Sequence, residues 1–171
     1  MSIGIDYKID ILKTAFNADL FTDIVGNTYN AYGRAYVNER NGQKIPELQT
    51  ASTTEYRDIS IDTGIHGLSF MVVGDTIDPL SQLDFVASVD VYFAVNLDIL
   101  YPAVTERATE YLHRDVGQSL NDSEFEITKI VTGREAFKDF DLIKEGDNLE
   151  PFYLVKFETT VEYQLKESTK C

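Results

Sequence analysis

The chain has 171 residues, 43% of them hydrophobic and 26% charged, which suits one globular domain with a real core and is short for two. Its 29 acidic residues outweigh 15 Lys and Arg, and the formal net charge of −14 argues against a binder of phosphate backbones or of anionic membranes. One cysteine, Cys171, leaves no internal disulfide, and no apolar run approaches the ~20 residues of a membrane-spanning helix.

Residues 1–10 lack a basic segment followed by an apolar stretch, so no signal peptide is expected. Ile5, Ile9, Leu12 and Phe16 step at helical intervals, which predicts a helix over 5–16 and a further short turn at 18–23. A short strand is expected at 32–37. Asn41-Gly42 is a strong turn signal, and an extended step follows at 45–48, where Pro46 confines it to an edge or a loop. The polar stretch 49–54 reads as a loop and 55–61 as a strand. His66 lies in a turn between Gly64 and Gly67. The apolar run 68–73 is expected to stop at Gly74-Asp75, ahead of a turn around Pro79.

Two long segments alternate cleanly. In 83–95 the odd positions are Leu83, Phe85, Ala87, Val89, Val91, Phe93 and Val95; in 153–165 they are Tyr153, Val155, Phe157, Thr159, Val161, Tyr163 and Leu165. Side chains alternate across a strand, so each segment is expected to have one buried and one wet face. Between them, Val104, Ala108, Tyr111, Leu112, Val116 and Leu120 form a helical stripe over 98–120, with Pro102 in the first turn and His113 on the polar face. A strand at 125–131 ends at Gly133. Residues 134–150 form a charged excursion anchored by Phe137, Phe140, Leu142 and Ile143, and 166–171 read as a disordered tail. The order predicts a single α+β domain over 1–171: a mostly antiparallel sheet with two helices packed on one face.

Chemistry is hard to place on this pattern. Only two histidines are present, neither near a nucleophile between glycines, so no triad is expected. Zinc-ligand spacings are missing, and no glycine loop fits a nucleotide fingerprint. Asp139, Asp141, Asp147 and Glu150 fall on positions 1, 3, 9 and 12 of a calcium loop, but Ile143 and Lys144 occupy the fifth and sixth, where a ligand and a glycine are needed. No catalytic, cofactor-binding or metal-binding residue is therefore assigned. The expectation is a protein that is not an enzyme and carries no cofactor.

The helix at 5–16, the Tyr32-Gly33-Arg34-Ala35-Tyr36 strand, the Ile45-Pro46 step, the long 89–95 strand, the 102–120 helix and the closing 153–165 strand together resemble the neck and tail-terminator proteins of tailed bacteriophages. The resemblance covers most of the chain and lies in order and texture. It departs in the long 134–150 excursion and the polar 49–54 insertion. It implies a structural virion protein, made in the host bacterial cytoplasm. Copies would form a homo-oligomeric ring at the head–tail junction or tail end, against portal, neck or tail proteins. DNA would pass through the lumen without specific binding, and no membrane would be involved. Phe137, Phe140, Leu142 and Ile143 are then candidate subunit contacts, since long loops with apolar anchors bury them somewhere. The rival readings are a monomeric α+β protein- or ligand-binding module and a carboxylate-dependent enzyme.

Overall fold

The computed structural model describes residues 3–21, 29–49, 56–59, 61, 65–104, 106–140 and 150–165. Helix α1 (Ile5–Ala15) continues as a π-helical turn over Phe16–Leu20. Strands β1 (Tyr29–Arg40), β2 (Gln43–Gln49), β3 (Tyr56–Asp58), β4 (Gly67–Pro79) and β5 (Asp84–Asn96) follow. A short helix α2 (Leu97–Leu100) leads to α3 (Ala108–Asp122), β6 (Phe125–Thr132), a 3-10 turn at Gly133–Phe137 and β7 (Phe152–Gln164). The sheet has seven strands in the order β3-β2-β1-β4-β5-β7-β6. Among the described residues only β1 and β4 pair in parallel; every other neighbour is antiparallel. The architecture is the expected α+β domain, with α1 and α3 on one face.

The period-2 pattern explains that face. Ala87, Val89, Val91, Phe93 and Val95 of β5, with Val155, Phe157 and Val161 of β7, lie under Ile9, Leu12 and Phe16 of the N-terminal helix and Leu112, Val116 and Leu120 of α3. Phe93 sets its ring edge-on to both Phe16 and Phe157, at centroid distances of 5.0 and 5.9 Å. Such packing adds to the roughly 2 kcal/mol that burying each large apolar side chain contributes.

The opposite face departs from the expected wet surface. Tyr92 and Ala94 of β5 and Leu154 of β7 are buried there with Leu68, Phe70, Ala35, Ile59, Ala136 and Phe137. The 3-10 turn after β6 supplies the cover, because Gly133 (φ 69°) redirects the chain across the sheet. Half of an apparently polar strand face is thus a second core.

Four local expectations need correcting. β4 does not stop at Gly74-Asp75; it bulges between Val73 and Ile77 and continues to Pro79. Pro102 is not in a helical first turn, because α2 ends at Leu100 and α3 starts at Ala108 after Arg107 adopts φ 63°. β1 is twice as long as read, since it runs on into a hairpin where the period-2 signal is absent. Pro46 does not confine its strand to an edge or a loop either: β2 lies between β1 and β3, opposite Val37 on one side, and the Pro46 carbonyl accepts the Ile59 N–H at 2.8 Å on the other.

Candidate functional site

Titratable groups converge at one place on the second face. Lys156, 8% exposed, puts Nζ 2.9 Å from Oε1 of Glu158 and 3.3 Å from Oδ2 of Asp90. The Tyr92 hydroxyl donates to Oδ2 of Asp90 at 3.4 Å, and the ammonium lies 5.8 Å from the Tyr92 ring centre. Strand register explains the grouping: Asp90 pairs with Glu158 and Tyr92 with Lys156. Burial opposes the charge on Lys156, but Glu158 and Asp90 outweigh it and its pKa is raised. Burial also raises the Asp90 carboxyl, partly offset by Lys156, and raises the Tyr92 hydroxyl, helped by Asp90. Glu158 is lowered by its hydrogen bond to Lys156. Phe70, Phe137 and Phe140 pack against the Tyr92 ring beside these charges. The cluster ties β5 to β7 at the boundary of the second core.

His113 is not on a wet face. Its Nε2 lies 3.1 Å from the Tyr153 hydroxyl and its ring stands edge-on to Phe157 at 5.7 Å; burial lowers its pKa. His66 directly precedes β4, and its carbonyl accepts the Asn96 N–H at 2.8 Å. Among the described residues, no group of three or more His, Cys, Asp and Glu is placed to hold a metal ion, and no helix is long and apolar enough to cross a membrane.

Of the predicted contact residues, Phe137 is buried against Phe70 and Tyr92, and Phe140 packs 5.6 Å from Phe70 and 5.1 Å from Tyr92. Both find cover within their own chain. Leu142 and Ile143 lie outside the described residues, as do Asp141 and Asp147 of the calcium-loop count and the tail at 166–171.

Unsatisfied surface lies elsewhere, at one end of the sheet. Pairing between β1 and β4 ends at Ala35 and Val72, yet β1 continues to Arg40 and β4 to Pro79. Two hairpins therefore project. The first, the arm, is β1 and β2 joined by Asn41 (φ 54°) and Gly42 (φ 78°), a backbone that favours glycine and matches strand twist. Residues 36–44 are all exposed, including Tyr36 and Val37. The arm's root is fixed by Glu47, 1% exposed, which accepts from Asn38 Nδ2 at 3.1 Å and pairs with Arg40; Arg40 also reaches Asp58 at 3.5 Å. The second, the tip, is the end of β4 and start of β5. Its turn is closed by Leu80 N–H donating to the Asp84 carbonyl at 2.8 Å and Ser81 Oγ donating to Asp84 Oδ2 at 2.6 Å. Ile77, Leu80 and Leu83 are about half exposed there, next to Leu165. The missing alternation over 36–44 was the available sequence signal: a strand with no buried side.

No protein-family model matches the chain, and no curated protein matches it.

Proposed function

We propose that this chain is a structural subunit that works as a multimer, and that its setting is a ring at the head–tail junction or tail end of a tailed bacteriophage. The arm is the observation that carries the multimer. A two-stranded ribbon with nine consecutive exposed residues stabilises itself poorly in water, and this one is held at its root by the ion pairs of Arg40 with Glu47 and Asp58. A projection of that kind gains stability when a neighbour covers it. The phage setting rests on the resemblance in element order. In it the partners are further copies of the chain and portal, neck or tail proteins, and DNA passes through the lumen without specific contacts. The net charge of −14 fits a wall along which phosphates slide, because it disfavours adhesion. No catalytic role is part of this reading.

Light scattering of the purified chain, followed by electron microscopy and by cross-linking of intact particles, tests it. The expected result is a closed multimer and cross-links that join copies. A chain that stays monomeric at all concentrations, and joins no particle, replaces this reading with that of a monomeric binding module.

A further inference from the structure

The tip and the end of β7 enclose an open groove of about 390 Å³, lined by Ser81, Gln82, Leu83, Asp84, Gln164 and Leu165. The Leu165 N–H donates to the Leu83 carbonyl at 2.9 Å, which sets the two leucines side by side, and both are about half exposed. Ile77 and Leu80 add exposed apolar surface on the same hairpin. Carboxylates border this groove. In the strand register Asp78 and Glu162 flank Val86 on either side, about 10 Å apart at two strand spacings, and Asp84 follows Val86 on the same face of β5. Asp84 accepts from the Ser81 hydroxyl, and none of the three carboxylates is in an ion pair among the described residues. Residues 58–106 and 157–165 contain no Lys or Arg, and Lys166, outside the described residues, is followed at once by Glu167.

We infer that this end of the sheet docks a basic segment of a partner protein, with one aliphatic side chain seated between Leu83 and Leu165 and Lys or Arg reaching Asp78, Asp84 and Glu162. Exposed apolar surface with a charged border is the usual make-up of a protein contact, an apolar centre inside a polar rim. Like charges on neighbouring strands oppose one another, and a cation from outside relieves them. Phosphate backbones are repelled by the same carboxylates. A second copy fits poorly, because its exposed cations are engaged. Arg40, Arg107, Arg114, Lys129 and Lys138 sit in ion pairs of their own chain, and Lys44 and Arg134 have partners too. The occupant is therefore a different chain, and the inference does not depend on the multimer reading above.

Fluorescence anisotropy of the full chain with a labelled peptide of alternating lysine and leucine tests it, beside an oligolysine of equal charge. The lysine–leucine peptide should bind saturably and about tenfold more tightly than oligolysine. Leu83→Ser should weaken it about tenfold, and so should Asp78→Asn with Glu162→Gln. Asp19→Asn with Glu106→Gln removes the same charge elsewhere and should leave binding unchanged. All these side chains are exposed, so circular dichroism of each variant should match the parent. Equal binding of the two peptides, or equal loss from both charge-removing pairs, would mean general attraction to an acidic chain and overturn the inference. Self-association that Leu83→Ser weakens, with no peptide binding, would overturn it by giving the groove to a second copy. Peptide binding as described in a chain that stays monomeric would uphold this inference and remove the multimer reading.

Discussion

The two faces of the sheet are built by different means. The face under α1 and α3 is continuous and apolar, assembled from alternating residues of β5 and β7 with two amphipathic helices. The other face is apolar where Ala136 and Phe137 of the 3-10 turn lie across it and where Ile59, Ile61 and Ile65 join the same cluster. It then passes through the Asp90–Lys156–Glu158 cluster to open polar surface. One face is specified by periodicity; the other depends on irregular segments that return to the sheet. The first therefore holds the fold, and the second trims and orients it.

The difference in consequence should be large. On the helix-covered face, Phe157→Asp should abolish folding, because a buried carboxylate without a partner costs several kcal/mol. Circular dichroism and soluble yield would report it, and a cooperative, folded variant would break the face assignment. On the second face, Phe137→Ala should lower stability by about 3 kcal/mol and still leave a folded chain. Denaturant titration that found no loss would mean the turn does not cover the sheet. Lys156→Met should cost about 2 kcal/mol, since the stem still packs while Asp90 and Glu158 lose their shared cation. Adding Asp90→Asn should recover part of that loss; no recovery would separate the two residues energetically.

The smallest effect concerns pH and belongs to the helix-covered side. Burial holds the His113 pKa below its ordinary value near 6.5. The folded state thus binds its proton less readily than the unfolded chain. The His113 contribution is fully present above pH 6.5 and is lost as pH falls through that value towards the lowered folded pKa. His113→Gln should flatten this part of the stability profile while leaving the alkaline side unchanged. A profile with the same slope in both proteins would place its cause at another group.

The helix-covered face was legible in the sequence because its signal is regular. Odd positions of two strands and the stripe Leu112, Val116 and Leu120 define it without help from distant residues. The second core was not legible in the same way. Tyr92, Ala94 and Leu154 occupy positions that alternation marks as wet, and only the path taken after Gly133 decides that they are covered. That path also changes the sense of Phe137 and Phe140, whose apolar surface is met by Phe70 and Tyr92. The charged cluster was hidden for a related reason. Asp90 and Lys156 lie 66 residues apart, and a shift of one residue in the β5–β7 register would separate them. The arm was half legible: Asn41-Gly42 marks its turn, but alternation gives no measure of how far a ribbon runs once it leaves the core.

The position of β7 between β5 and β6 carries a consequence for how the chain reaches this state. β5 pairs with β7 along all thirteen residues, yet more than fifty residues separate the two strands in sequence. β4 and β5 can zip locally as soon as they exist, because their hairpin closes over a short turn. The other edge of β5 stays open until the last strand arrives to insert. During that interval a long, apolar ribbon edge with free backbone donors and acceptors is exposed, the kind that captures strands from other molecules. Synthesis and aggregation are then in a race that the final thirteen-residue strand decides. A chain cut before Phe152 should collect as insoluble protein even though most of its helices and strands have already been made.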